Sequence, residues 1–301
     1  MLLAFVFGWN NGPVVVGGLV GSGALSYRRG ALWTVIGLAL GSALGWREMQ
    51  YSLVDSLSLL RSPDAVTFVF LLSFVLILVL TLGKLPVSLS VSAVGAFIGA
   101  SLALGFGVHR LVAIEILSSW LAAPLIGGLL AFALEKLLRA VYERMNVLRI
   151  DIINRTLTQV SMLYVTFTLG ANNVGMIFGT YAAVSSPDPL VLIALVAFCV
   201  VGVTAVGKTL APTIGESFVG LSPSGVLASF ISSSFVMLAS TLAGIPMSVT
   251  MALVGSMVGV GMSTKLWIIN RPLIAYTVGS WLAVALLSGV VAFLTLHLAL
   301  G

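Results

Sequence analysis

A chain of 301 residues that is 59% hydrophobic and 8% charged, with a mean hydropathy of +1.18, excludes a soluble globular domain. Apolar segments recur from end to end at roughly the 17–25 residues a bilayer-spanning helix needs, without the alternation over about ten residues that marks a membrane β-barrel. The net charge of +5 and pI of 9.7 come from Lys and Arg scattered over short loops, a topology signal and not a nucleic-acid surface, and one cysteine, Cys199, excludes a disulfide framework.

The first helical region is expected over 1–26. Its start lacks a basic n-region, so no cleavable signal peptide is expected. Asn10-Asn11-Gly12-Pro13 interrupts its apolar run. Nine residues precede the interruption, about 13 Å of helix against a hydrocarbon core of ~30 Å, so a break there lies deep in the membrane. Pro13 suits the first turn of a following half-helix, whose free N–H groups and positive dipole end would favour an anion. Helices are then expected over 30–46, 65–82, 91–107 and 110–138, with 47–64 as an interfacial loop of partial helix. The segment EKLLRAVYERMNVLRIDIINR, Glu135 to Arg155, holds five of the fourteen Lys and Arg residues and reads as a linker, helical where it leaves the bilayer. A second interrupted helix is expected over 157–184, where Gly170-Ala171-Asn172-Asn173 repeats the asparagine pair 162 residues after the first. Helices over 189–207, 225–243, 247–263 and 272–298 complete ten, with 208–224 as a loop or re-entrant segment around Pro212, Gly215 and Pro223.

The two halves correspond beyond the asparagines. LPVSLSVSAVGAFIGASLALG (85–105) pairs with IPMSVTMALVGSMVGVGM (245–262) at an offset of 160, and SWLAAPLIGGLLAFAL (119–134) with SWLAVALLSGVVAFLT (280–295) at 161. Landmarks in one order at one spacing indicate an internal duplication: a first repeat over 1–134, a basic linker over 135–156 and a second repeat over 157–301. Five spans per half is an odd number, so the second repeat is expected to be inverted. With the linker in the cytoplasm, eleven of the fourteen Lys and Arg residues face inside and only Arg47, Arg61 and Arg110 face outside, with both termini outside. The fold class expected is an all-α polytopic membrane protein of two inverted-topology repeats with discontinuous helices at the repeat interface.

Inverted repeats with interrupted helices point to a secondary transporter with a site at the repeat interface. Irregular backbone and polar side chains inside a membrane mark a cavity or a function. The candidate substrate ligands are Asn10, Asn11, Gly12, Asn172 and Asn173, with the hydroxyls of Ser88, Ser90, Ser248 and Thr250 after the prolines of the second pair of motifs. Amides, hydroxyls and backbone N–H groups make a neutral, donor-rich cage suited to a small tetrahedral oxyanion. An enzyme is not expected: the two histidines lie about 190 residues apart, and no metal cluster or paired carboxylate is evident. A passive anion channel is disfavoured by the duplicated motifs.

These motifs resemble the inorganic phosphate transporter (PiT) family, which includes sulfate permeases. The resembling residues are Gly8-Trp9-Asn10-Asn11 and Gly170-Ala171-Asn172-Asn173, Pro86-Val87-Ser88-Leu89-Ser90 and Pro246-Met247-Ser248-Val249-Thr250, and the segment GKTLAPTIGESFVGLSPSG (207–225). The resemblance spans 4–298 and implies cation- or proton-coupled uptake of phosphate, with sulfate as the alternative substrate. Where that family carries aspartate, this chain has Asn11 and Asn173, and Val14 and Met176 replace its second asparagine. Two fixed charges that would serve sodium are therefore gone, and a site without carboxylates suits sulfate, which only accepts hydrogen bonds.

A dianion entering against about 100 mV, inside negative, costs roughly 4.6 kcal/mol, so uptake requires a coupled cation, sodium or proton. Asn11, Asn173, Glu115 and Glu216 are the coupling-ion candidates, with Glu48, His109 and His297 near membrane edges and Lys208 as a counter-charge. No cofactor and no resident metal are expected. Expected partners are the oxyanion and membrane lipid, and no nucleic acid. Small-residue pairs such as Gly127-Gly128 and Gly17-Gly18 allow packing within one chain or in a homodimer.

Overall fold

A computed structural model describes residues 1–21, 26–57, 63–82, 88–206, 221–263 and 271–300. Among them the chain is helical and has no strand. The helices are α1 (Leu2–Gly21), α2 (Tyr27–Leu57), α3 (Pro63–Leu82), α4 (Leu89–Ala103), α5 (Arg110–Tyr142), α6 (Val147–Leu169), α7 (Gly175–Val184), α8 (Pro189–Val201), α9 (Pro223–Leu242), α10 (Val249–Ser263) and α11 (Arg271–Leu300). A π turn, Gly170–Val174, joins α6 to α7, and a second, Gly202–Val206, extends α8. Lys208, Glu216 and most of the segment 208–224 lie outside the described residues.

Local chemistry sets the helix starts. Ser88, Asn146, Asp188, Ser222 and Ser248 each accept from a backbone N–H of the first turn. Pro189 and Pro223 occupy first-turn positions, where their missing N–H costs nothing. Gly244 at φ +69° closes α9, sending Ile245 N–H back to the Ser240 carbonyl at 2.8 Å. Among the described residues five helical runs are long and apolar enough to cross a membrane: Pro63–Leu82, Arg110–Tyr142, Val147–Val184, Pro223–Leu242 and Ile274–Ala299. Leu121, Leu125 and Leu129 on α5 and Leu282, Leu286 and Val290 on α11 form exposed apolar rows at matching positions, as a lipid-facing surface requires.

The expected breaks need correcting. α1 runs as α-helix through Asn10, Asn11, Gly12 and Pro13, so no half-helix begins at Gly12. Asn11 Nδ2 donates to the Phe7 carbonyl one turn back at 3.1 Å. In the second copy the helix widens into the π turn over Gly170–Val174 instead of breaking. The expected loop over 47–64 is helical to Leu57, with 58–62 outside the described residues, and the linker is the end of α5, a turn at 143–146 and the start of α6.

The repeats exchange helices. α1, α3 and α4 of the first half pack with α8 and α11 of the second, while α6, α7, α9 and α10 of the second pack with α2 and α5 of the first. Glycines set the approach. A Cβ at Gly99 would strike the Gly289 carbonyl across α4 and α11, and one at Gly259 would strike Gly128 across α10 and α5. Gly8 lies against the Cys199 carbonyl and Gly170 against that of Leu38. Every residue in one contact of each pair lies 160–162 positions from its counterpart in the other. Gly128 therefore packs within the chain.

Candidate functional site

The two groups of helices meet at the starts of α4 and α10. Ser88 caps α4 through Val91 N–H at 3.4 Å and Ser248 caps α10 through Met251 N–H at 3.3 Å. The first-turn amides of Leu89, Ser90, Val249 and Thr250 have no acceptor within their own helices. Ser90 reaches from α4 into the other group: its hydroxyl lies 2.8 Å from Asn173 Oδ1 and 2.9 Å from the Met247 carbonyl. One hydroxyl proton faces two acceptors. Turning the Asn173 amide would let it donate to Ser90, but in either orientation one end of that amide is buried without a partner among the described residues.

Asn172 is bonded quite differently. Its Nδ2 donates to Thr241 Oγ1 at 2.9 Å and to the Ile245 carbonyl at 3.1 Å, and its Oδ1 accepts Met247 N–H at 2.9 Å. Thr241 spends its own proton on the Met237 carbonyl at 2.8 Å, which fixes which end of the amide faces it. Asn10 makes the corresponding bond to Thr81 Oγ1, also at 2.9 Å. Thr81 and Thr241 were not anticipated from the sequence, although each is followed by leucine and lies four residues before a block recognised as repeated.

The two halves are not in the same state. Thr250, the counterpart of Ser90, is 2.8 Å from its own capping residue Ser248, and Asn11, the counterpart of Asn173, bonds to Phe7. Gly12 is a packing residue: a Cβ there would lie 3.0 Å from Val203 in the π turn beyond α8. Glu115 is exposed on α5, as are Glu48 on α2 and His109 immediately before α5. Glu216 lies outside the described residues. Trp120 is buried and donates Nε1–H to the Pro246 carbonyl at 3.1 Å. The cluster of Asn173, Ser90, Ser248, Thr250 and the helix starts is neutral and presents amide, hydroxyl and backbone donors, chemistry that suits an acceptor-rich anion. Among the described residues no group of His, Cys, Asp and Glu could hold a metal ion.

Two stretches of the chain, 7–154 and 149–292, match the sequence profile of the phosphate transporter family, meeting inside the basic linker. A protein of Methanocaldococcus jannaschii provisionally named a phosphate permease is 26% identical over 295 residues, covering 97% of this chain and 93% of its own. Another so named, from Pyrococcus horikoshii, is 27% identical over 180 residues, covering 55% of this chain and 44% of its own. The fold is similar to the solved structure of a sodium-dependent phosphate transporter, with a TM-score of 0.81 at 20% identity, covering 99% of this chain and 98% of that one.

Proposed function

Because the chain belongs to the phosphate transporter family, we propose that it carries inorganic phosphate across the cytoplasmic membrane, coupled to a cation or proton, by alternating access of two inverted repeats. The linker lies in the cytoplasm and both termini outside, as the Lys and Arg distribution favours. The anion sits where α4 and α10 begin, held by Asn173 and its counterpart Asn11, the hydroxyls of Ser90, Ser248 and Thr250, and the first-turn amides. The observation that carries this reading is the Ser90–Asn173 contact, which joins the two helix groups and leaves one end of a buried amide free. Such an orphaned group is costly without a ligand. Coupling follows from the work of bringing a dianion inward against an inside-negative potential, roughly 4.6 kcal/mol at 100 mV.

Sulfate is the second reading, favoured by Asn11 and Asn173 standing where the resembled family has aspartate. The test is uptake of labelled phosphate and labelled sulfate into proteoliposomes, each with and without an imposed sodium or pH gradient, for the wild type and Asn11→Ala/Asn173→Ala. Gradient-driven phosphate uptake lost in the double variant is the expected result. Sulfate uptake in its place selects the second reading, and uptake of either anion unchanged by the double substitution removes the site.

A further inference from the structure

Three successive carbonyls before α10 are each taken by a side chain from a different helix run: Ile245 by Asn172, Pro246 by Trp120 and Met247 by Ser90. The N–H groups are also used, Ile245 to Ser240 and Met247 to Asn172, and Pro246 has none. All five polar backbone groups of the tripeptide Ile245–Pro246–Met247 are therefore bonded, two of them by the single amide of Asn172. A connection between helices ordinarily leaves some of these groups to water. Here they are clamped immediately before Ser248, the residue that caps α10.

We propose that Asn172, with Thr241 behind it and Trp120 beside it, is a positioning residue that sets where α10 begins, and that Asn173 alone of the adjacent pair is left for the anion. Both N–H groups of Asn172 and one face of its carbonyl oxygen are spent on protein, so it has no donor to offer an anion. Asn173, the next residue on the same π turn, points its amide to Ser90 and keeps one end unpartnered. One amide ties the α10 start to the π turn while its neighbour faces the site, so the spacing between Asn173 and the first-turn amides of α10 is fixed through Asn172. Asn10 makes the corresponding bond to Thr81, and the segment 83–87 before α4 lies outside the described residues. The inference rests on the anion site proposed above, and it removes Asn172 from the ligand set expected from sequence.

Two measurements on the full chain test it. The first needs no substrate: hydrogen exchange of the Met247 amide in detergent-solubilised protein. The clamp predicts slow exchange in the wild type and exchange at least tenfold faster in Asn172→Ala and, to a lesser degree, in Thr241→Val and Trp120→Phe, which preserve shape should Asn172→Ala fold poorly. An exchange rate unchanged by all three overturns the clamp. The second is phosphate uptake with KM and maximal rate normalised to folded protein. Positioning predicts that Thr241→Val reproduces part of the Asn172→Ala defect, that the two together are no worse than Asn172→Ala alone, and that Thr241→Val multiplies with Asn173→Ala. Silent Thr241→Val with Asn172→Ala matching Asn173→Ala makes Asn172 a ligand and overturns the inference. Unchanged kinetics per folded molecule makes the clamp merely structural and overturns it too. A wild type whose Met247 exchanges as predicted but which takes up neither phosphate nor sulfate refutes the transport reading and leaves the clamp standing.

Discussion

Ser90 and Asn173 lie 83 residues apart in sequence and 2.8 Å apart across the two exchanged helix groups. Any relative movement of the groups must stretch this contact, and any anion ligated by Asn173 must compete with it or share it. Removing the hydroxyl in Ser90→Ala takes away the one proton that Asn173 and the Met247 carbonyl share, leaving a buried acceptor that costs about 1–3 kcal/mol if nothing replaces it. The expected outcome is a phosphate KM raised at least tenfold, with Ser90→Thr retaining most of the wild-type value. Initial-rate uptake across a phosphate concentration series measures both.

Restoring the family's charge tests selectivity. In Asn173→Asp the carboxylate can still accept from Ser90 but has lost the amide NH2 and its donors. Sulfate only accepts and is repelled, whereas hydrogen phosphate can donate its proton. The ratio of phosphate to sulfate uptake is therefore expected to rise by at least tenfold in Asn173→Asp, and further in Asn11→Asp/Asn173→Asp. Competition between the two labelled anions at fixed pH reads the ratio directly, and a ratio unchanged in both variants places the selectivity elsewhere.

The repeat was legible because small residues and prolines recur in blocks, and these same residues make the closest helix contacts. Gly95 and Gly99 lie 160 residues before Gly255 and Gly259 in these blocks, and all four face the fifth helix of the other half. The exchange of helices was not legible, because apolar periodicity says which face is buried and not against which helix. The asparagine pairs were read as helix breakers because Asn, Gly and Pro together oppose helix in water. Inside this protein their amides bond to carbonyls and hydroxyls, and one copy stays α-helical while the other becomes a π turn. The difference between adjacent asparagines was invisible for the same reason: only the positions of Thr241 and Ser90 decide which amide is spent.

Gly99→Ala and Gly259→Ala should cost alike. In each, the new methyl meets a backbone carbonyl of the facing helix, which no rotamer change relieves, and the interface must part. About 1–3 kcal/mol of stability is expected to be lost in either variant. Gly279→Ala is the control, since an added Cβ has nothing within 4 Å and alanine favours helix by up to about 1 kcal/mol. Thermal unfolding followed by intrinsic fluorescence should place the first two midpoints below the wild type and the third at or above it.

Glu135 presents the reverse problem, a charge held where none was expected. Read from sequence as the start of a basic linker, it is fully buried on α5, with Oε1 accepting from Arg139 Nε at 2.9 Å and from Ser224 Oγ at 3.1 Å, and with Oε2 unpartnered among the described residues. Ala131, Ala228 and Val260 form the apolar cluster at this end of α5, and Ser224 belongs to the first turn of α9, whose partial positive charge favours a carboxylate. Arg139 is itself half-exposed, so it can be solvated if Glu135 is neutralised, whereas Glu135 cannot be solvated if Arg139 is removed. The order of effects follows from that asymmetry. Glu135→Gln should be nearly silent, and Arg139→Met should destabilise by about 2 kcal/mol, the size of a lost hydrogen bond to a buried charge. The double variant should return most of that loss, since the carboxylate that needed the guanidinium is gone. Denaturation midpoints of the three proteins in one detergent test the order, and an Arg139→Met protein as stable as the wild type would mean that Ser224 and the α9 start hold the carboxylate unaided.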